Sequence, residues 1–280
     1  MTKALFFIGN KRSGTSHLVR LLNLHSNIFI SHESDVAWIL YLFHNDMPFA
    51  SHPWDSPSGM KMSLQACGHI LRRDCDPKEN FFAFQKCLME KGCTWLPPMR
   101  KQELLWIGDK KPFQLTDPIV LDFVLRLFPD AHFIHLVRHP FDVAFSSERF
   151  NKTRFGDFWK DLTLKEKVIR WTFHEKQVLD LKRSGGVTML DIRYEDLCRE
   201  TERELLKIFN FLNLNVDRKI VRKALQKTRC SIRKTTNISC DEETLAIMEH
   251  YGYKPVRKES TLIYLMSTAT DIFQWLKRSL

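Results

Sequence analysis

The sequence predicts an α/β fold, a parallel β-sheet flanked on both faces by helices. Three observations carry that reading. The chain opens on a short apolar strand that stops at a glycine-rich loop and runs into a helical pattern. Short β-branched and aromatic runs then alternate with helical segments, the signature of strands joined by crossover helices. Composition is that of a packed globular chain: 44% of the 280 residues are hydrophobic and 27% are charged, which excludes a disordered one.

Residues 3–8 read as a buried strand and residues 15–24, with leucines and valine on one side, as a helix. A strand is expected over 27–30 and a helix over 36–44. Residues 46–103, with scattered Pro, Trp and Cys, read as irregular with short helices. Further strands are expected over 104–107, 131–137 and 187–192. Helices are expected over 117–128, 164–184, 195–212, 216–227 and 241–251. No internal repeat is present. In such sheets ligands bind beyond the carboxyl ends of the strands, so the loops after Ile8, Ile107, Val137 and Ile192 are where a site is sought.

Charge and cysteine usage narrow the partners. Lys and Arg exceed Asp and Glu by 43 to 33, a net charge of +10 that favours an anionic ligand. No run of five basic residues and no known RNA-binding or zinc-finger pattern occurs, so nucleic acid is not the expected partner. Seven cysteines, with no CxxC pair, predict reduced thiols in a cytoplasmic protein rather than a metal site or a disulfide framework. The first apolar run is five residues long, too short for a secretory signal or a membrane span. Residues 261–275 are apolar but broken by Asp271, and read as a packed helix.

Gly9-Asn10-Lys11-Arg12-Ser13-Gly14-Thr15-Ser16 has the spacing of a Walker A loop, except that Thr15 stands where the lysine belongs. Backbone N–H groups at a helix start favour an anion there. Positive charge comes instead from Lys11 and Arg12, and hydroxyls from Ser13, Thr15 and Ser16. The missing lysine weighs against the alternative, a P-loop nucleotide kinase or phosphotransferase.

FFIGNKRSGTSHLVRLL resembles the phosphosulfate-binding loop of sulfotransferases that use 3′-phosphoadenosine 5′-phosphosulfate (PAPS), a P-loop-like three-layer fold. His132–Ser146 is similar to the same family's 3′-phosphate motif, with Arg138 at a strand end and Ser146 eight residues on, about two helical turns away. Gly108-Asp109-Lys110-Lys111-Pro112 and Arg193-Tyr194-Glu195-Asp196-Leu197 match two further family segments. The resemblance covers residues 3–37 and 104–253. The remaining pieces of a single 1–280 domain are 38–103, a helical acceptor-side insertion, and 254–280, a C-terminal extension.

The resemblance implies that Lys11, Arg12, Ser13, Gly14, Thr15, Ser16, His17, Arg138, Ser146 and Tyr194 hold the donor, whose product is 3′-phosphoadenosine 5′-phosphate (PAP). His17 falls where cytosolic relatives stack a tryptophan on adenine. Arg233 and Lys234 are substitutes for an absent C-terminal basic loop. Arg12 and Lys110 are expected to stabilise the departing phosphate. No histidine follows Lys110, so the base expected is Glu33, on the branch of the family that uses a glutamate after the second strand. His32 and Asp35 are its fallbacks, and a carboxylate capping the helix at 36–44 is the structural alternative. No metal is expected. The acceptor is expected to be a small molecule bearing a hydroxyl or amine/amide nitrogen, a guanidinium toxin among the candidates.

Overall fold

The computed structural model describes residues 2–53, 55, 58–93, 96–111, 114–153, 159–216, 218–227 and 240–254. The elements run β1 (Lys3–Ile8), α1 (Thr15–Leu22), β2 (Ile28–His32), α2 (Val36–His44), α3 (Ser58–Cys67), α4 (Pro77–Lys91), β3 (Trp106–Lys110), α5 (Pro118–Leu127), β4 (His132–Val137), α6 (Pro140–Asn151), α7 (Leu164–Arg183), β5 (Thr188–Arg193), α8 (Tyr194–Arg199), α9 (Thr201–Phe211), α10 (Arg218–Lys227) and α11 (Glu242–His250). They fall into two compact units, residues 1–138 with 173–230, and residues 139–172 with 231–280.

The first unit holds a parallel sheet of order β2-β3-β1-β4-β5. Strand alternation splits its side chains between two faces. Phe6, Phe29, Ile107 and Phe133 pack with α2, α4 and α5 through residues such as Leu40, Phe84 and Val124. Leu5, Phe7, Ile30, Trp106 and Ile134 pack on the other face with Leu18 and Leu22 of α1 and Ile208 and Phe209 of α9. Both faces are covered, which is why the strands read as continuous apolar runs. Helix starts are set locally. Asp76 and Asp117 accept from the backbone N–H of Lys78 (2.7 Å) and Ile119 (2.8 Å), each with proline in the first turn.

In the second unit Phe141 and Ala144 of α6 pack with Val168 of α7. Asp241 caps α11 by accepting from Thr244 N–H at 2.8 Å. No helix among the described residues is long and apolar enough to cross a membrane.

Three expectations are corrected. Strand β3 lies at 106–110, not 104–107: ladders to β1 and β2 on either side carry it past Gly108 into Asp109 and Lys110. The stretch 46–103 contains the fifteen-residue α4, whose Phe81, Phe84 and Leu88 are buried against the sheet. Its many lysines and glutamates dilute the apolar period. Cys67 and Cys87 are joined by a disulfide between α3 and α4, against the expectation of reduced thiols. Helix packing brings together two residues twenty apart that no motif pairs.

Candidate active site

The loop after β1 is closed from within. The Ser13 hydroxyl, expected to face an anion, instead donates to the Asn10 carbonyl at 2.7 Å. Gly14 caps α1 with φ of 100°, and a Cβ there would lie 2.3 Å from the Tyr194 ring. Only glycine satisfies both the left-handed backbone and the close approach. The His17 and Leu18 N–H groups bond back to the Gly14 carbonyl, while Thr15 and Ser16 begin the helix at its positive end. Lys11 donates to Asp55 at 2.9 Å. Burial pulls its ammonium below the usual lysine range, against the attraction of Asp55. Arg12, at φ of 69°, has an exposed side chain.

The second anchor meets this loop. Arg138, buried at the end of β4, donates to the Arg12 carbonyl at 3.3 Å and lies 4.3 Å over the Tyr194 ring. Tyr194 therefore touches both the loop glycine position and the arginine, so three separate sequence motifs converge. Ser146 is buried on α6, in the other unit. Arg233 and Lys234 lie outside the described residues.

At the ends of β2 and β3, strand alternation separates neighbouring lysines. Lys110 reaches α1, donating to Ser16 Oγ at 3.1 Å, and also bonds Glu33. Lys111 turns the other way, as Asp109 does, and sits among Glu33 (3.2 Å), Asp35 (3.1 Å) and Asp55 (3.1 Å). Burial alone would raise the Glu33 carboxyl, but Lys110 and Lys111 outweigh it and hold the group well below the usual carboxylate range. Burial lowers Lys110, while the carboxylates around Lys111 keep that ammonium charged against the same cost. Asp35 is pushed by burial up to about 7 despite Lys111, and accepts from Gln114.

Asp35 starts α2 without capping it. Asp109 does so instead, accepting from Val36 N–H at 3.2 Å. His32 is buried, its ring neutral, with a pKa lowered by burial and Lys110 to about 3. Neither of its ring nitrogens has a hydrogen-bond partner, and nor does His17 Nε2 on α1.

Sequence reading did not single out Lys111 and Asp55 as site residues. A strand boundary drawn through Lys110 was the usable signal for Lys111, since alternation would then have placed it opposite its neighbour. Nothing local marks Asp55.

The described residues thus place a glycine-bearing loop at a helix start, a strand-end arginine and a lysine–carboxylate pair at the carboxyl edge of a parallel sheet. The chain belongs to the sulfotransferase family, whose profile matches residues 4–218. No curated protein matches it. Among solved structures it is similar to the sulfotransferase domain of the curacin biosynthetic pathway, with 16% identity over 91% of this chain and 99% of that one and a TM-score of 0.60. The sulfotransferase domain of the Synechococcus PCC 7002 olefin synthase matches at 21% identity, 91% and 95% coverage, TM-score 0.58. A sulfotransferase from Mycobacterium avium matches at 12% identity, 91% and 79% coverage, TM-score 0.52. At these identities the likeness is one of fold.

Proposed function

We propose that the protein moves a sulfuryl group from PAPS to a hydroxyl or amine/amide nitrogen of a small-molecule acceptor. The observation that carries the reading is the junction of Arg138, Tyr194 and the phosphate loop. It sets a buried guanidinium beside the anion-binding backbone, where a second phosphate on the donor calls for one. Backbone N–H groups of the α1 start and Lys110 fit the 5′-phosphosulfate, and Arg138 fits the 3′-phosphate.

For an alcohol acceptor, the oxygen–sulfur bond forms as the sulfur–oxygen bond to the 5′-phosphate breaks. The electron pair stays with PAP, and the alcohol proton goes to Glu33. Lys110 links these events because it bridges Glu33 and Ser16 at the loop. While it pairs with Glu33, the carboxylate is a weak base. As negative charge builds on the departing phosphate, Lys110 is drawn toward it and Glu33 gains basicity. Arg12 is assigned to the same departing charge.

The test is ligand stabilisation followed by an acceptor screen. PAP should raise the melting temperature, about 2.7 kcal/mol of stabilisation at a hundredfold excess over Kd, while ADP and AMP do little. Equal shifts from all three remove the 3′-phosphate assignment. Labelled PAPS then identifies the acceptor, with a guanidinium toxin among those screened. Turnover should persist in excess chelator. A cytoplasmic setting is part of the proposal. The Cys67–Cys87 bond opposes it, and alkylation in freshly lysed cells, finding the pair reduced, would support it.

A further inference from the structure

Beneath the phosphate loop runs a buried series of charged side chains, of which only His135 falls within a family motif. Asn10, the second residue of the loop, is fully buried, and its amide donates to Glu175 Oε1 of α7 at 2.7 Å. Glu175 Oε2 lies 3.0 Å from His135 Nε2 on β4. His135 Nδ1 lies 2.8 Å from Asp191 Oδ1 on β5, and Asp191 in turn pairs with Lys182 of α7. His135 and Glu175 are completely buried, whereas Asp191 and Lys182 reach the surface with 40% and 22% exposure. The His135 ring also supports the loop backbone directly, since a Cβ on Gly9 would lie 3.2 Å from its Cδ2.

We propose that Glu175 and His135 are positioning residues that hold the phosphate loop in its anion-binding shape through the Asn10 side chain. The inference rests on the donor reading above and extends it as far as Glu175, 165 positions from Asn10 in sequence. Its physical basis is the division of one carboxylate between two tasks. One oxygen of Glu175 takes the Asn10 amide, and the other is held by the imidazole. With a carboxylate at each nitrogen, hydrogen-bonded to Asp191 at Nδ1 and ion-paired with Glu175 at Nε2 without a hydrogen bond there, the ring is held as an imidazolium. Glu175, His135, Asp191 and Lys182 then alternate in sign and sum to zero, the condition under which charges survive burial. Take the charge from His135 and Glu175 becomes a buried carboxylate without its counter-ion, free to draw the Asn10 amide and the loop out of position.

The groups facing His135 are Glu175 on α7 and Asp191 on β5, with Lys182 beyond Asp191 and neutral Asn10 beyond Glu175. Burial opposes the imidazolium, but Glu175 and Asp191 outweigh it and raise its pKa to about 9. PAP affinity should therefore hold from pH 7 to about 8 and fall as pH rises through 9. The ligand's own phosphates are ionised across that range.

Titration calorimetry of the full chain with PAP, from pH 7 to 10, tests this. Asn10→Ala and Glu175→Gln should each raise Kd about tenfold or more at pH 7.5. Because they remove one linkage, the double variant should be no weaker than the poorer single. Glu175→Gln should also lack the fall near pH 9. At saturating PAPS, the kcat of Glu175→Gln should stay within about twofold of wild type, since Glu175 lies outside the loop and does not touch the reacting atoms. Glu175→Asp should recover part of the affinity. If Glu175→Gln does not fold, Asn10→Ala and Asp191→Asn, at the two ends of the series, carry the same test by their affinity and pH profile. Wild-type binding that is flat to pH 10, additive losses, or wild-type affinity in both single variants overturns the inference and leaves the donor reading standing. A folded wild type that binds no PAP at pH 7.5 overturns both.

Discussion

The phosphate loop and the lysine–carboxylate cluster lie in one three-layer unit but are built by opposite means. The loop takes its backbone path from eight consecutive residues, among them a left-handed glycine, a serine tied to a nearby carbonyl and the start of a helix, and is propped from beneath through Asn10. The cluster draws Lys110 and Lys111 from β3 and the residue after it, Glu33 and Asp35 from the turn after β2, and Asp55 from a connection further on. Backbone dipoles need no counter-charge, whereas buried ions are stable only as a set. A change in the loop should act on donor binding. A change in the cluster should act on chemistry or on folding, depending on whether the altered group meets the acceptor or only its neighbours.

The largest effect expected is on turnover. Glu33→Gln keeps the side-chain shape and removes its basicity, so kcat should fall by about 10²–10⁴-fold with PAP affinity unchanged by calorimetry. Full activity would move the base to His32 or Asp35.

Lys111→Met leaves Glu33, Asp35 and Asp55 without their shared ammonium. Urea denaturation should show a loss of about 3–5 kcal/mol, the usual result of breaking a buried ion set. A loss confined to kcat, with stability intact, would make Lys111 a group that serves the reaction.

Reduction of Cys67–Cys87 should cost about 2–4 kcal/mol, since the bond closes a loop of some twenty residues between α3 and α4. Because Cys198 is also disulfide-bonded, the Cys67–Cys87 bond is read from its linked peptides in a non-reduced digest, and its cost from the urea midpoint of the Cys67→Ala/Cys87→Ala variant. An unchanged midpoint would show that helix packing alone fixes that region.

Gly14→Ala gives the smallest of these effects on stability, about 1–3 kcal/mol from the strained backbone. It also acts on binding, because the new methyl displaces Tyr194 from its place under Arg138. PAP affinity should fall by about tenfold or more. Equal weakening of PAP and ADP would mean that only the loop was disturbed. Selective loss of PAP would confirm that Tyr194 serves the arginine as well.

Much of this arrangement is legible in the chain. The apolar run at 3–8, the glycines of the loop and the prolines and aspartates at helix starts act over a few residues, and the strands and helices formed where those signals stand. The loop and Arg138 were visible for the same reason, each being a strand end followed at once by a helix start. What the chain alone did not determine depends on side chains far apart in sequence. The apolar pattern of β3 stops at Gly108, so its last two residues, and with them the opposite directions of Lys110 and Lys111, follow only from pairing with strands on both sides. The Cys67–Cys87 bond needed two helices packed together, and Asp55 became a partner of Lys11 and Lys111 only where the fold brought it to them. Local conformational preference is written residue by residue. The partner of a buried charge is chosen by the packing of elements, because only there does the loss of water make one carboxylate matter to a lysine many residues away.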